Sequence, residues 1–321
     1  DIGRRALPVV DRTVVAYRTG AVLSRLVPAP VANAVAERTA RALARRDTDR
    51  RQQVERNLRR IHGPDLTPAR LDAMVGKTFA SYARYYAESF RLPSMSRRAI
   101  DLGFTHEGFD NVTRAIDDGI GPILVMPHLG SWEWAGFWLT AVQDLEVTAV
   151  VEALEPPELF DWFVAFREEL GMHVIPVGDP SVGGRLLRAI RDRHVICLLS
   201  DRLVGEGAGV EVEFFGETTM LPAGPATLAL RTGAPLIPTA VYQRPRGTHG
   251  VCRAPVPAER EGKLRADVTR VTQALAVELE TLIRAAPEQW HLMQPNWPSD
   301  HATTSDGGPA PHGPSRGGNQ A

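Results

Sequence analysis

From about residue 101 onward, short apolar runs alternate with stretches whose apolar positions recur every three or four residues. That rhythm predicts strands over 121–126, 145–151, 173–177, 194–199, 211–215 and 235–242, and helices near 108–118, 131–142, 157–170, 181–191, 222–231 and 264–285. Strands alternating with crossover helices predict an α/β fold, a sheet flanked by helices. Before residue 101 the pattern is helical only, with Pro-bearing breaks such as Val27-Pro28-Ala29-Pro30 and Gly63-Pro64-Asp65. Thr67-Pro68 marks a helix start, Thr as the capping residue and Pro in the first turn. The helix that follows carries Leu71, Met74, Val75, Phe79, Tyr82, Tyr86 and Phe90 on one stripe, which either joins the core or walls an acyl groove. After Ser299, Gly, Pro, Ser and Thr dominate. The expected organisation is a helical section over 1–100, an α/β domain over 101–298 and a disordered tail over 299–321.

Charge divides along the same boundary. Residues 1–100 hold 20 Lys+Arg against 9 Asp+Glu and the remainder 17 against 29, so a first third of about +11 precedes a remainder of about −12. Val10, Val14, Tyr17 and Ala21, interrupted by Arg12, Arg18 and Arg25, describe a cationic amphipathic helix suited to an anionic membrane surface. The Arg45-Arg46, Arg50-Arg51, Arg56 and Arg59-Arg60 cluster adds long-range attraction to phospholipid headgroups. The competing reading is a helical cap with its arginines in water. No nucleic-acid-binding motif accompanies the charge, so no nucleic-acid partner is expected.

No apolar run reaches eighteen residues, and the start lacks the layout of a signal peptide, so no transmembrane helix is expected; a preceding anchor stays open because the chain begins at Asp1. Cys197 and Cys252 give neither a disulfide framework nor metal-ligand spacing and read as buried thiols in a reducing compartment.

The richest segment runs from Gly121 to Trp134, where the apolar strand Ile123–Met126 ends in Pro127-His128-Leu129-Gly130-Ser131 and a carboxylate, Glu133, follows five residues after the histidine. On one helix those two would stand roughly 140° apart. With His128 on the loop at the strand end and Glu133 in the first turn of the next helix, the carboxylate reaches back to one ring nitrogen and leaves the other to take a proton. The plainer alternative has His128 bonding a loop carbonyl and Glu133 favouring the helix N-terminus. Leu198-Leu199-Ser200-Asp201-Arg202 ends another buried strand with an acid and a base, where open α/β sheets place active sites; a loop salt bridge is the alternative. Arg167, in Phe166-Arg167-Glu168-Glu169-Leu170-Gly171, either reaches an anionic headgroup or pairs with adjacent acids. Trp132, Trp134, Phe137 and Trp138 either wall an acyl channel or fill the core. No Gly-x-Ser-x-Gly follows a predicted strand as a nucleophile elbow would, no His-Glu-x-x-His pair exists, and Gly205-Glu206-Gly207-Ala208-Gly209 leads into a strand rather than a helix.

In order and spacing, His128-x4-Glu133, Arg167-x3-Gly171, Asp201-Arg202, Val210–Gly216, Pro222–Ala226, Leu230–Pro235 and the closing Pro287-Glu288-Gln289-Trp290-His291 resemble the lysophospholipid acyltransferase superfamily, in the branch of the lipid A late acyltransferases. Within it, the Arg-rich start and the run Phe214–Pro225 look most like the actinobacterial phosphatidylinositol mannoside acyltransferases. The resemblance implies a glycerol-3-phosphate acyltransferase-like mixed sheet flanked by helices. It implies transfer of an acyl chain, palmitoyl by expectation, from acyl-CoA to a mannose hydroxyl of a phosphatidylinositol mannoside. The enzyme would be peripheral, at the cytoplasmic face of the membrane, with acyl-CoA as donor substrate and no cofactor. It carries the general base onto His128, the motif carboxylate onto Glu133 and a further catalytic acid onto Asp201; Arg167 and Arg202 are the expected phosphate contacts. Another glycolipid or lysophospholipid acceptor, an acyl thioesterase and a non-catalytic lipid-binding protein are the rival functions.

Overall fold

The computed structural model describes residues 19–301 except Ser24, residues 153–155 and Glu206. Residues 10–18 of the expected amphipathic helix, and residues 302–321 of the expected tail, lie outside the described residues.

Strands β1 (Phe104–Glu107), β2 (Ile123–Met126), β3 (Val147–Val151), β4 (Met172–Pro176), β5 (Val195–Leu199), β8 (Leu236–Gln243) and β9 (Thr248–Cys252) form one sheet in the order β1-β9-β8-β2-β5-β3-β4. Every neighbouring pair is parallel except β8 with β9. The central strand is wholly apolar: all four positions of β2 are buried. Successive side chains alternate between faces, so Ile123 and Val125 join one core, and Leu124 and Met126 the other. The first core is closed by α8 (Val182–Arg191), α9 (Gly224–Thr232) and α10 (Leu264–Ala285). The second is closed by α4 (Arg97–Leu102), α5 (Asp110–Asp117), α6 (Trp132–Ala141) and α7 (Pro157–Glu169).

The helical section consists of α1 (Ala29–Leu43), α2 (Thr48–His62) and α3 (Pro68–Ser89). Thr67 caps α3 by accepting from the Arg70 amide at 3.4 Å, and Pro68 opens it, as the sequence requires. The inner half of the α3 stripe, Leu71, Met74, Val75 and Phe79, packs with Val54 and Leu58 of α2 in a third core. Part of the expected headgroup-attracting cluster is spent inside the protein. Arg51 pairs with Asp72 at 2.6 Å, and Arg60 pairs with Glu217 at 2.9 Å and with Asp300 at 2.5 Å. Arg45, Arg46, Arg50 and Arg59 remain exposed.

Two sequence expectations need correction. The strand expected over 211–215 is not in the main sheet: β6 (Gly209–Phe214) pairs antiparallel with β7 (Glu217–Pro222) as a separate hairpin. The two-residue loop Phe215-Gly216 has φ of 54° and 74°, the left-handed pair that matches strand twist in tight hairpins. Because β7 occupies 217–222, the helix expected from 222 begins at Gly224. Residues 299–301, expected in the tail, are ordered. A short helix, α11 (Pro298–His301), is held by buried Asp300, which accepts from Gln53 at 2.9 Å, from Arg60, and from the amides of Asn296 and Trp297. Four donors on one carboxylate anchor a composition that reads as unstructured.

Candidate active site

β2 and β5 are neighbours with Met126 opposite Leu199. His128 and Asp201 each follow that pair by two residues, so strand register alone brings them together at the C-terminal edge of the sheet. His128 Nδ1 lies 2.5 Å from Asp201 Oδ1. An ionised carboxylate only accepts, so Nδ1 carries the proton and Nε2 keeps its lone pair. Asp201 Oδ2 accepts from the His128 amide at 3.0 Å and from the Trp290 indole N–H at 2.7 Å. Burial opposes ionisation of the wholly enclosed Asp201, but the facing imidazole and these donors outweigh it and hold the carboxyl below its usual range. The His128 side chain is 27% exposed, so a fixed carboxylate stands behind a ring that solvent or substrate can reach.

The turn after His128 is shaped by a close backbone approach. Gly130 has φ of 63°, and a Cβ there would lie 1.8 Å from the carbonyl oxygen of Val241, so no other residue fits. Ser131 then donates from its amide to Val241 at 3.1 Å and from its hydroxyl to Glu88 Oε2 at 2.7 Å. From the other side the block Pro287–His291 crosses the strand ends. Its Gln289 carbonyl accepts from the Gly130 amide at 3.0 Å, and the His291 amide donates to the His128 carbonyl at 2.7 Å. His291 itself is half-buried, its Nε2 2.8 Å from the Ser81 hydroxyl. Burial, reinforced by His128, pushes its pKa down to about 3.

Glu133 is not the partner of His128, which corrects the geometry expected from the five-residue spacing. It points the other way, into the core, where it is 1% exposed. Its Oε1 accepts from Arg167 Nη2 at 2.6 Å and from the Tyr85 hydroxyl at 3.3 Å. Burial raises the Glu133 pKa despite the opposing charge of Arg167, and burial with the Glu133 charge pushes the Tyr85 hydroxyl well above its ordinary value. The Arg167 guanidinium lies 5.1 Å from the ring centre of Trp132 and 5.5 Å from that of Phe163. Held by a carboxylate and two aromatic faces, Arg167 is a buried partner of Glu133, not one of the adjacent Glu168 and Glu169. Arg202 pairs with Glu152 just past the end of β3.

The four α6 aromatics divide. Trp134 and Trp138 are core residues whose indoles donate to the Ile100 carbonyl at 3.2 Å and to Asp101 at 3.1 Å, whereas Trp132 and Phe137 are half-buried. The outer α3 stripe continues toward the site: Tyr85 stacks on Trp132 with ring centres 6.3 Å apart, and Tyr82 meets His291 edge-on at 5.2 Å. Trp290, His291, Ser131, Glu88 and Tyr85 are site residues to which the sequence alone assigned no chemistry. The one available signal was the Trp290-His291 pair closing the chain's last motif.

Among the described residues, no helix is long and apolar enough to cross a membrane. Residues 8–299 match the bacterial lipid A biosynthesis acyltransferase family. The chain is 38% identical over 293 residues to the phosphatidylinositol mannoside acyltransferase of Mycolicibacterium smegmatis, covering 90% of this chain and 92% of that one. It is 36% identical over 290 residues to the phosphatidylinositol mannoside acyltransferase of Mycobacterium tuberculosis, covering 89% and 88%. A match over nearly the whole chain makes this protein a member of the bacterial lipid A biosynthesis acyltransferase family and an acyltransferase.

Proposed function

We propose that the enzyme transfers a fatty acyl chain, palmitoyl in the simplest case, from acyl-CoA to a mannose hydroxyl of a phosphatidylinositol mannoside. The observation that carries the chemistry is the His128–Asp201 pair, with Nδ1 engaged and Nε2 left to work. The activity for which the mycobacterial relatives are named supports the acceptor. A sugar hydroxyl is a poor nucleophile at neutral pH. His128 Nε2 takes its proton as the oxygen attacks the thioester carbonyl, and Asp201 stabilises the imidazolium that forms. The tetrahedral intermediate collapses by expelling the CoA thiolate, which receives the proton from Nε2, so no covalent acyl-enzyme is needed. The Gly130 and Ser131 amides already donate to backbone carbonyls, so the oxyanion falls to the first-turn donors of α6, Trp132 and Glu133.

Phosphate contacts belong to Arg202, next in the chain to Asp201. Farther out, Arg70 and Lys77 share a cleft of about 350 Å³ with His62, Arg284 and Glu288. Arg167, closed behind Glu133, acts on the position of the motif helix instead. Peripheral association with an anionic membrane at the cytoplasmic face is supported by exposed Val22, Leu23, Leu26, Val31 and Val35 and by exposed Arg45, Arg46 and Arg50.

The test is transfer from radiolabelled palmitoyl-CoA to a panel of phosphatidylinositol mannosides, wild type beside His128→Ala. Labelled glycolipid from the wild type alone supports the reading. Free palmitate independent of acceptor would replace it with a thioesterase, label on a different lipid would change the acceptor, and no turnover would favour a lipid-binding role.

A further inference from the structure

At the opposite end of the sheet a second cluster has no part in acyl transfer. Glu146 immediately precedes β3, His173 is the second residue of β4, and His194 immediately precedes β5. β3 lies between β4 and β5, with Thr148 opposite both His173 and Ile196. Because side chains alternate along a strand, Glu146, Thr148, His173 and His194 all fall on the face of Ile196. The register therefore gathers one carboxylate and two imidazoles from three adjacent strand starts. From His194 to Asp201 the chain runs about 20 Å at strand rise, which separates this cluster from the dyad.

We propose that Glu146, His173 and His194 bind a divalent transition-metal ion of the zinc class, which clips together the starts of β3, β4 and β5. One ligand atom of each residue lies within 4.8 Å of the others. Tetrahedral zinc, with bonds of about 2.0–2.1 Å, sets its ligand atoms roughly 3.4 Å apart, so closure needs movements of at most about 1.4 Å. The side chains that must move can do so: His173 is 55% and Glu146 64% exposed. Two imidazoles and one carboxylate form a borderline-soft donor set that suits zinc, cobalt or nickel better than magnesium or calcium. Water completes the shell.

The surroundings are those of a ligand set. His173 Nε2 already faces Glu146 Oε2 at 2.8 Å, and an ion would take the place of the hydrogen between them. His194 Nδ1 is held by the buried Thr148 hydroxyl at 2.9 Å, so its Nε2 is the nitrogen left for a metal, oriented by an outer-shell partner. The two rings are 5.0 Å apart and tilted by 37°, near neighbours without a bond between them.

The test uses the full chain without an affinity tag, stripped with a chelator and titrated with zinc against a chromophoric competitor. One equivalent should bind, and melting should rise by about 5 °C at a hundredfold excess of free zinc over its Kd. His173→Ala and His194→Ala should each weaken binding at least a hundredfold while melting like the metal-free wild type, and Thr148→Val should weaken it about tenfold. Acyl transfer by the metal-free protein should match that of the loaded protein. Absence of stoichiometric binding, or binding that survives both histidine substitutions, overturns the proposal.

Discussion

Asp201 and Glu133 are both buried carboxylates facing a cationic or proton-bearing partner, and they do different things. Asp201 stands behind a ring that is 27% exposed, and its bonds to His128 and Trp290 fix one nitrogen and leave the other available. Glu133 faces a guanidinium that is itself 10% exposed and lies against Trp132 and Phe163. The first pair is open on one side, because solvent reaches one member. The second is sealed, and it ties the first turn of α6 to α7. Sequence proximity to His128 was thus a poor guide to partnership, while the strand register was a good one.

The largest expected effect that sharpens this contrast is on turnover. His128→Ala should lower kcat by about 10²–10⁴ with a modest fall in thermal midpoint, because the buried Asp201 loses its ring partner but keeps the position-128 amide and Trp290. The reverse pattern is expected on the sealed side. Arg167→Ala leaves Glu133 buried and unpaired, and should destabilise by roughly 3–5 kcal/mol in urea unfolding; adding Glu133→Gln should recover part of that loss. Trp290→Phe removes one charge-assisted hydrogen bond to Asp201, about 1.5–3 kcal/mol. Because that bond helps keep the Asp201 pKa low, its loss should move the acid limb of the kcat/KM profile to higher pH.

His291 tests the ground between the two regions. Its folded pKa of about 3 lies below the unfolded value of roughly 6.5, so the folded state binds fewer protons. Stability is therefore fully present above pH 6.5 and is lost as pH falls toward 3, by roughly 2 kcal/mol at pH 5. His291→Gln, able to keep a bond to Ser81, should flatten that part of the stability curve in denaturant titrations at pH 5 and 7.

Much of this architecture was legible in the sequence. Strands buried on both faces, such as Ile123–Met126 and Val195–Leu199, announce themselves as unbroken apolar runs, and the helices between them carry clear periodicity. The edge escaped notice: β1 has one buried residue in four, and β9 is only partly buried, so neither shows an apolar run. β7 was hidden because Glu217-Thr218-Thr219-Met220 reads as polar and its partner is a hairpin neighbour. At the site, His128 and Asp201 were readable because both follow apolar strands. The inward turn of Glu133 was not, since it depends on Arg167 and Tyr85, 34 and 48 residues away in the chain.

The central claim, that Asp201 serves the imidazole while Glu133 serves the scaffold, is tested most directly by kcat per folded molecule for Asp201→Asn and Glu133→Gln, with the folded fraction fixed by denaturant titration of each sample. The account expects a loss of at least about a hundredfold for Asp201→Asn and less than about tenfold for Glu133→Gln after that correction. An equal or larger loss per folded molecule for Glu133→Gln would contradict it.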